Sequence, residues 1–170
     1  MDHVDRILAQ WNTQRPDLDV GPMGLIGRLK RLHDQLAEGL GHVYAAHGLN
    51  AASFDVLATL RRSGAPYALS PTALSASTLV TSGTMTNRLD RLESAGLIAR
   101  QRNPQDGRGF VVALTPKGFA LIEQVVAEHV ANQHALMEGI PPHVRDELNA
   151  HLRLWLGLLD ARAPGQNSET

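Results

Sequence analysis

Small polar and basic side chains lie together on one face of a helix that the sequence predicts between Ser82 and Ala95. At about 100° per residue, Met85, Leu89 and Leu92 share the side that must be buried. The opposite side and its flanks present Thr84, Thr86, Asn87 and Arg91. Amide, guanidinium and threonine methyl groups can contact adenine, guanine and thymine in the major groove. This face therefore predicts DNA contact, with an ordinary solvated helix face as the alternative.

A second helix and a hairpin flank this predicted helix. Ser70 and Pro71 are a typical N-cap and first helical residue, which predicts a short helix to about Ser77. Two helices separated by so short a break form a helix-turn-helix. The runs 97–102 and 110–114 look like strands on either side of a turn-forming segment, which predicts a hairpin. A hairpin at this place is the wing of a winged helix, and Arg108 near its tip is a candidate for the minor groove.

Longer helices are predicted on both sides of this unit. Apolar residues recur at helical spacing in 2–15, from Pro22 to a C-cap at Gly48, after Asn50, after Pro116 and after Pro142. The last of these helices is apolar on more than one face and so needs more than one partner surface. In a chain of 170 residues the second surface is expected to be another subunit.

The charge is unevenly distributed along the chain. The net charge is −1 and the isoelectric point is about 6.7, which by themselves do not suggest nucleic acid. Residues 81–118 contain six basic and three acidic side chains, so this segment carries +3 and the remainder carries −4. A local basic segment on an acidic scaffold is typical of an element that reads DNA, although chance clustering on a solvated helix is the alternative.

Several other classes of protein are disfavoured. The chain has no cysteine, no Gly-rich phosphate loop and no serine in a nucleophile-elbow context, so we expect no enzyme and no cofactor. His42 and His47 are five residues apart, as are His129 and His134, and this spacing does not place two metal ligands on one helical face. No apolar run approaches the ~20 residues of a membrane helix. We expect a cytoplasmic protein with neither metal nor membrane.

Arg88 differs from its neighbours, because the same helical wheel places it close to the buried side. A buried guanidinium is costly unless it is paired. It could meet an anion or Asp55 in a cleft beneath the helix, or it could form a structural salt bridge. Asp55 lies beside the apolar face of the helix after Asn50 and could equally be a surface aspartate that favours the helix dipole.

The runs Met85–Arg100, Asn103–Arg108 and Leu114–Gly118 resemble the MarR family of bacterial transcription regulators. The resemblance implies a mainly α fold, with a winged helix-turn-helix, N- and C-terminal dimerisation helices, and a β wing of two or three strands. It also implies a homodimer that binds a pseudo-palindromic operator in double-stranded DNA. One departure is at the wing tip, where Asp106-Gly107-Arg108-Gly109 replaces the commoner pair of arginines.

The chain is similar to a urate-responsive subgroup of that family, because it has an added N-terminal helix that carries a tryptophan. This likeness implies a repressor that a small aromatic anion such as urate releases from DNA. The alternatives are a regulator that answers another carboxylate, a phenolic compound or pH, and a winged helix that contacts proteins. Ligand residues of the subgroup correspond to Trp11, Asp55, Arg88 and Arg100. The DNA-binding residues are predicted to be Ser82, Thr84, Thr86, Asn87, Arg91, Arg102 and Arg108.

The predicted organisation is one compact domain overall. Residues 1–20 are expected to form the added helix and its connector, and residues 49–115 the winged helix-turn-helix. The dimerisation helices are placed at 21–48 and 116–163, and residues 164–170 form a flexible tail.

Overall fold

The computed structural model describes residues 1–78, 85–103 and 109–162. Within these residues the chain is mainly helical, as predicted, with seven helices and three short strands. In chain order the elements are α1 His3–Gln14, α2 Gly21–Ala46, α3 Ala51–Arg62, β1 Ala68–Leu69, α4 Pro71–Ser77, α5 Met85–Ser94, β2 Ile98–Arg102, β3 Phe110–Leu114, α6 Pro116–Leu136 and α7 Pro142–Asp160.

The chain divides into two compact units, the first formed by residues 1–136 and the second by residues 137–170. The first unit contains α1 to α6 and all three strands, and the described part of the second contains α7. The domain boundaries predicted from the sequence remain a prediction. No helix within the described residues is long and apolar enough to span a membrane.

Local sequence signals explain where several of the helices begin or end. The Asn50 side chain caps α3 by accepting a hydrogen bond from the Ser53 amide at 2.8 Å, and Ser70 caps α4 at the Ala73 amide. Gly48 and Gly96 follow α2 and α5 with φ of 69° and 71°, a left-handed conformation that glycine adopts without strain. These caps confirm the helix boundaries predicted around them.

The sheet is antiparallel, with strand order β1-β3-β2. Ile98 pairs with Leu114 and Arg102 with Phe110, so the predicted hairpin is present. β1 adds a third strand, in which Leu69 pairs with Val112. The sequence did not identify this strand, because two residues are too few to show an alternating pattern.

The core of the first unit is centred on α3. Val56, Leu57 and Leu60 are fully buried, and the core extends from them to α4, α5, β3 and α6. These α3 side chains recur at helical spacing, which gives the helix one continuous apolar face. Because α3 packs against both α5 and α6, it fixes the position of α5 relative to α6.

The C-terminal end of α5 is held by the start of α6. Lys117 Nζ donates to the Ala95 carbonyl at 2.8 Å, and the Thr115 hydroxyl donates to the Gly96 carbonyl at 2.7 Å. Gly118 lies so close to the Leu97 backbone that a Cβ atom there would be 1.9 Å from the Leu97 oxygen. These contacts set the place where α5 ends and β2 begins.

The added helix α1 packs on the first half of α2. Val4 is buried on α1 and lies over Gly27, and Leu8 lies over Gly24. Arg28 forms ion pairs with Asp2 and Asp5 at the start of α1. The backbone amide of Asp5 and the Arg28 guanidinium lower the pKa of Asp2 to about 2.

Three rings connect α2, α3 and α6. The Phe54 ring centroid lies 4.5 Å from that of Tyr44 and 4.7 Å from that of His129. Tyr44 Oη lies 3.1 Å from His129 Nδ1. Burial lowers the pKa of His129, and it raises the pKa of Tyr44 with help from the nearby Asp55 carboxylate.

We expect the free energy of unfolding to fall as the pH drops below 6.5. Because the pKa of His129 is lower in the folded protein than the ordinary value of 6.5, the unfolded chain binds more protons below that value. The contribution of neutral His129 to the free energy of unfolding is complete above pH 6.5 and is lost as the pH falls further. Urea denaturation at about pH 7.5 and about pH 5.5 measures the difference. The difference should be smaller in His129→Gln, and an equal difference in both proteins would contradict the assignment.

Candidate nucleic-acid interface and anion site

Helix α5 has the two faces that its sequence predicts. Met85, Leu89 and Leu92 are between 2% and 4% exposed and belong to the core. Thr86, Asn87 and Arg91 are exposed, as predicted for side chains that read DNA. Ser82 and Thr84 lie outside the described residues.

The other two predicted DNA contacts belong to the wing. Arg102 is exposed at the end of β2, opposite Phe110 of β3. Arg108 lies outside the described residues. The described part of this surface therefore consists of the exposed face of α5 together with Arg102 on the adjacent hairpin.

Arg88 is half-buried at the edge between the two faces of α5, where the helical wheel places it. It lines a cavity of about 250 Å³ between α5 and the first turn of α3. The described residues that line it are Asn50, Ala52, Ser53, Asn87, Arg88 and Arg91. The cavity thus joins Arg88, predicted to bind a ligand, with Asn87 and Arg91, predicted to bind DNA.

Arg100 is held by acidic side chains of α5. Its Nη2 atom lies 2.6 Å from Asp90 Oδ1, and its Nη1 atom is paired with Glu93. The hydrogen bond with Asp90 and the charge of Glu93 raise the pKa of Arg100. The guanidinium also lies 5.5 Å from the centroid of the Phe110 ring. Arg100 consequently fixes β2 to α5.

A second cavity lies on the other side of α5 and includes Arg100. It has a volume of about 360 Å³ and combines the guanidinium with an aromatic ring and several hydroxyl groups. Within the described part of the chain, it is lined by Pro71, Thr72, Ser75, Met85, Thr86, Leu89, Arg100 and Phe110. Arg88 and Arg100 therefore line different cavities.

The two remaining predicted ligand residues lie on α1 and α3. Trp11 is on α1 with 41% of its surface exposed, and Asp55 is half-buried on α3 near Tyr44. Neither lines the cavity of Arg88. The described structure joins Arg88 with Arg91 in one cavity, and the role of the four-residue set as a ligand site remains a prediction.

Asn50 and Ser53 line the Arg88 cavity but were not predicted as site residues. The sequence identified Asn50 only as the cap of α3, and its proximity to Arg88 depends on how α3 packs against α5. No local pattern indicates a contact between residues so distant in the chain.

Two further arginines have structural contacts. Arg61 is paired with Glu123 and lies 5.2 Å from the Tyr67 ring centroid and 5.0 Å from that of Phe119. Arg62 donates to the Ser77 carbonyl and to the Thr59 hydroxyl. Arg61 thereby ties α3 to α6, and Arg62 ties α3 to the end of α4.

A short helix, an exposed helix and a β hairpin in this order form a winged helix, a class of fold in which the exposed helix typically contacts the major groove of DNA. Residues 47–109 match the protein-family model that is described as "MarR family". The chain is 43% identical over 157 residues to the HTH-type transcriptional regulator PecS of Dickeya dadantii, which covers 92% of each protein. The chain belongs to the MarR family of DNA-binding transcriptional regulators. Its relatives are regulators and not enzymes, as the sequence predicted.

Solved structures agree with this assignment. One of them is Bordetella bronchiseptica BpsR, whose DNA binding is regulated by 6-hydroxynicotinic acid. Its structure matches this chain with a TM-score of 0.67 and 28% identity. That match covers 76% of this chain and 90% of BpsR. A mutant of Escherichia coli MarR in complex with operator DNA also has a TM-score of 0.67, at 26% identity, covering 86% of this chain and 97% of MarR. The predicted family and fold class are both confirmed.

Proposed function

We propose that this regulator is a cytoplasmic homodimeric repressor, and that a small aromatic anion such as urate binds to it and releases it from DNA. The observation that carries the proposal is the position of Arg88. It belongs to the helix that presents Thr86, Asn87 and Arg91, yet it is half-buried and lines a cavity. A guanidinium in a cavity is a binding group for a carboxylate or a similar planar anion.

Arg88 gives the anion a way to act on DNA binding. An anion held by Arg88 competes with the interactions that Arg88 makes within the protein and shifts α5. The affinity for DNA then falls by the difference between the affinities of the anion for the two positions of the helix, typically ~1–3 kcal/mol. Trp11, Asp55 and Arg100 are proposed to complete the response, as the resemblance to the urate-responsive subgroup implies.

Exposed apolar side chains support the homodimer. In the second unit, α7 carries Leu148, Leu152, Leu154, Leu156, Leu158 and Leu159, which are between 41% and 63% exposed. Leu25, Ile26 and Leu32 on α2 are also at least half exposed. A second copy would bury such surfaces in a two-fold interface. Each subunit would then offer one α5 to a half-site of a pseudo-palindrome, about one helical turn from its twin.

A gel-shift titration with the DNA upstream of the protein's own gene, at fixed salt and with and without urate, tests the proposal. We expect the protein to bind this DNA specifically, and we expect urate to release the protein from it. Specific binding that urate leaves unchanged would exclude urate as the effector while leaving the regulator in place. The absence of specific binding would favour the alternative of a winged helix that contacts proteins.

An aromatic carboxylate is the second candidate effector. In the cavity of Arg100, the Phe110 ring and the Thr72 and Thr86 hydroxyls suit an aromatic ring, and a carboxylate on that ring would compete with Asp90 and Glu93 for the guanidinium. The relative BpsR is described as regulated by 6-hydroxynicotinic acid, a compound of this kind. The same titration with 6-hydroxynicotinate in place of urate distinguishes the two candidates.

A further inference from the structure

Helix α5 carries two acidic side chains close to the face that presents Asn87 and Arg91. Asp90 is exposed and Glu93 is half-buried three residues further on, so the two are neighbours on the helix surface. DNA carries one negative charge for every ~1.7 Å of its length, so an acid beside it lowers the affinity. A role within the protein would explain why a helix that is proposed to contact DNA carries both acids.

Both acids bind Arg100 on strand β2. The Arg100 Nη2 atom lies 2.6 Å from Asp90 Oδ1, and its Nη1 atom is paired with Glu93. Glu93 makes a second contact, because the backbone amide of Arg100 donates to Glu93 Oε1 at 3.1 Å. One carboxylate of α5 therefore binds both the side chain and the main chain of the same strand residue. Such charge-assisted hydrogen bonds are stronger than neutral ones and restrict the geometry of both partners.

The carboxylate of Glu93 takes the place of a strand partner. In the sheet order β1-β3-β2, strand β2 pairs with β3 on one side. The Arg100 amide donates to Glu93 on the other side, so α5 holds the outer edge of the strand. The Arg100 guanidinium also lies 5.5 Å from the centroid of the Phe110 ring on β3. Both strands of the hairpin are thus connected to α5.

We propose that Glu93 is a positioning residue for DNA binding, which holds the β2–β3 hairpin where it and α5 contact the same duplex together. Two contacts on one rigid ligand strengthen each other only when the geometry allows both at once. This inference rests on the proposed function, because it concerns DNA contact by the face of α5 and by Arg102 on the hairpin. Asp90 assists Glu93 through its own bond to Arg100.

Glu93→Gln should weaken DNA binding about tenfold, a loss equal to that of one charge-assisted contact. Electrostatics alone predicts the opposite sign, since the variant removes a negative charge close to DNA. The glutamine oxygen can still accept from the Arg100 amide but has no charge for the guanidinium, so Glu93→Ala should bind DNA more weakly again. Glu38→Gln removes an exposed acid of α2 and should change the Kd by less than about twofold. Equal or tighter DNA binding by Glu93→Gln would overturn the proposal.

A double-mutant cycle with Arg102→Ala separates positioning from a general structural effect. Fluorescence anisotropy with labelled upstream DNA at about 50–200 mM salt measures each Kd. In the unmodified background, Arg102→Ala should weaken binding and lower the salt slope by about 1. In the Glu93→Gln background the same substitution should change the Kd by less than about twofold, because the hairpin no longer reaches DNA. Additive effects, or an Arg102→Ala variant that binds like the unmodified protein, would overturn the positioning role.

Urea denaturation completes the test. A partly exposed ion pair contributes little to stability, so the denaturation midpoint of Glu93→Gln should match that of the unmodified protein. A clearly lower midpoint would attribute the weaker DNA binding to instability and would contradict the proposal.

A different result identifies a failure of the proposed function itself. If the unmodified protein did not bind DNA, the regulator proposed above would be wrong and the role of Glu93 would fall with it. If the unmodified protein bound DNA and Glu93→Gln bound it equally well, only the positioning role would be wrong.

Discussion

Arg88→Ala should still bind DNA from upstream of its own gene but should no longer be released by urate. In the unmodified protein we expect urate to raise the Kd for DNA by about 5–150-fold. The variant lacks the guanidinium that lines the cavity beneath α5, so the ratio of Kd values with and without urate should fall to about 1. Fluorescence anisotropy with labelled DNA at fixed salt measures both values.

Two comparisons separate this effect from a general loss of structure. Arg88→Lys retains the charge but loses the planar fork, so it should show an intermediate response to urate. Arg31→Ala removes an exposed arginine on α2 and should behave like the unmodified protein in both assays. Persistence of the full urate response in Arg88→Ala would rule out the assigned role of this residue.

Gly118→Ala should lower the free energy of unfolding by about 3 kcal/mol, the upper part of the range for inserting an atom into a packed site. The added Cβ would lie 1.9 Å from the Leu97 oxygen and 2.8 Å from the Leu97 carbonyl carbon. The same oxygen accepts a hydrogen bond from the Thr115 amide at 3.1 Å, so the backbone has little freedom to move away. Because Leu97 connects α5 to β2, DNA binding should weaken in the same variant.

Gly41→Ala is the matched control for this substitution. Gly41 is also a helical glycine of the first unit, and its added Cβ would meet no atom within 4 Å. Alanine is the better helix former, so this variant should be more stable by about 0.5–1 kcal/mol. Urea denaturation of both variants measures the contrast, and a similar change in both would show that the close approach at Gly118 is not the cause.

The sequence by itself determined the periodic and local features of the fold. The burial of Met85, Leu89 and Leu92 and the exposure of Thr86, Asn87 and Arg91 follow from the helical period, which depends only on backbone geometry. The caps at Asn50 and Ser70 are equally local, because each side chain bonds an amide three residues away. The strand β1 escaped detection since two residues show no period.

The contents of each cavity were decided by the tertiary structure alone. The sequence placed Arg88 near the buried side of α5 but could not show that Asn50, Ser53 and Arg91 lie around the same space. It also gave no sign that Arg100 is paired with Asp90 and Glu93 and lines a separate cavity. The reason is physical: helical period and capping act within a few residues, whereas a cavity is formed where elements distant in the chain pack together.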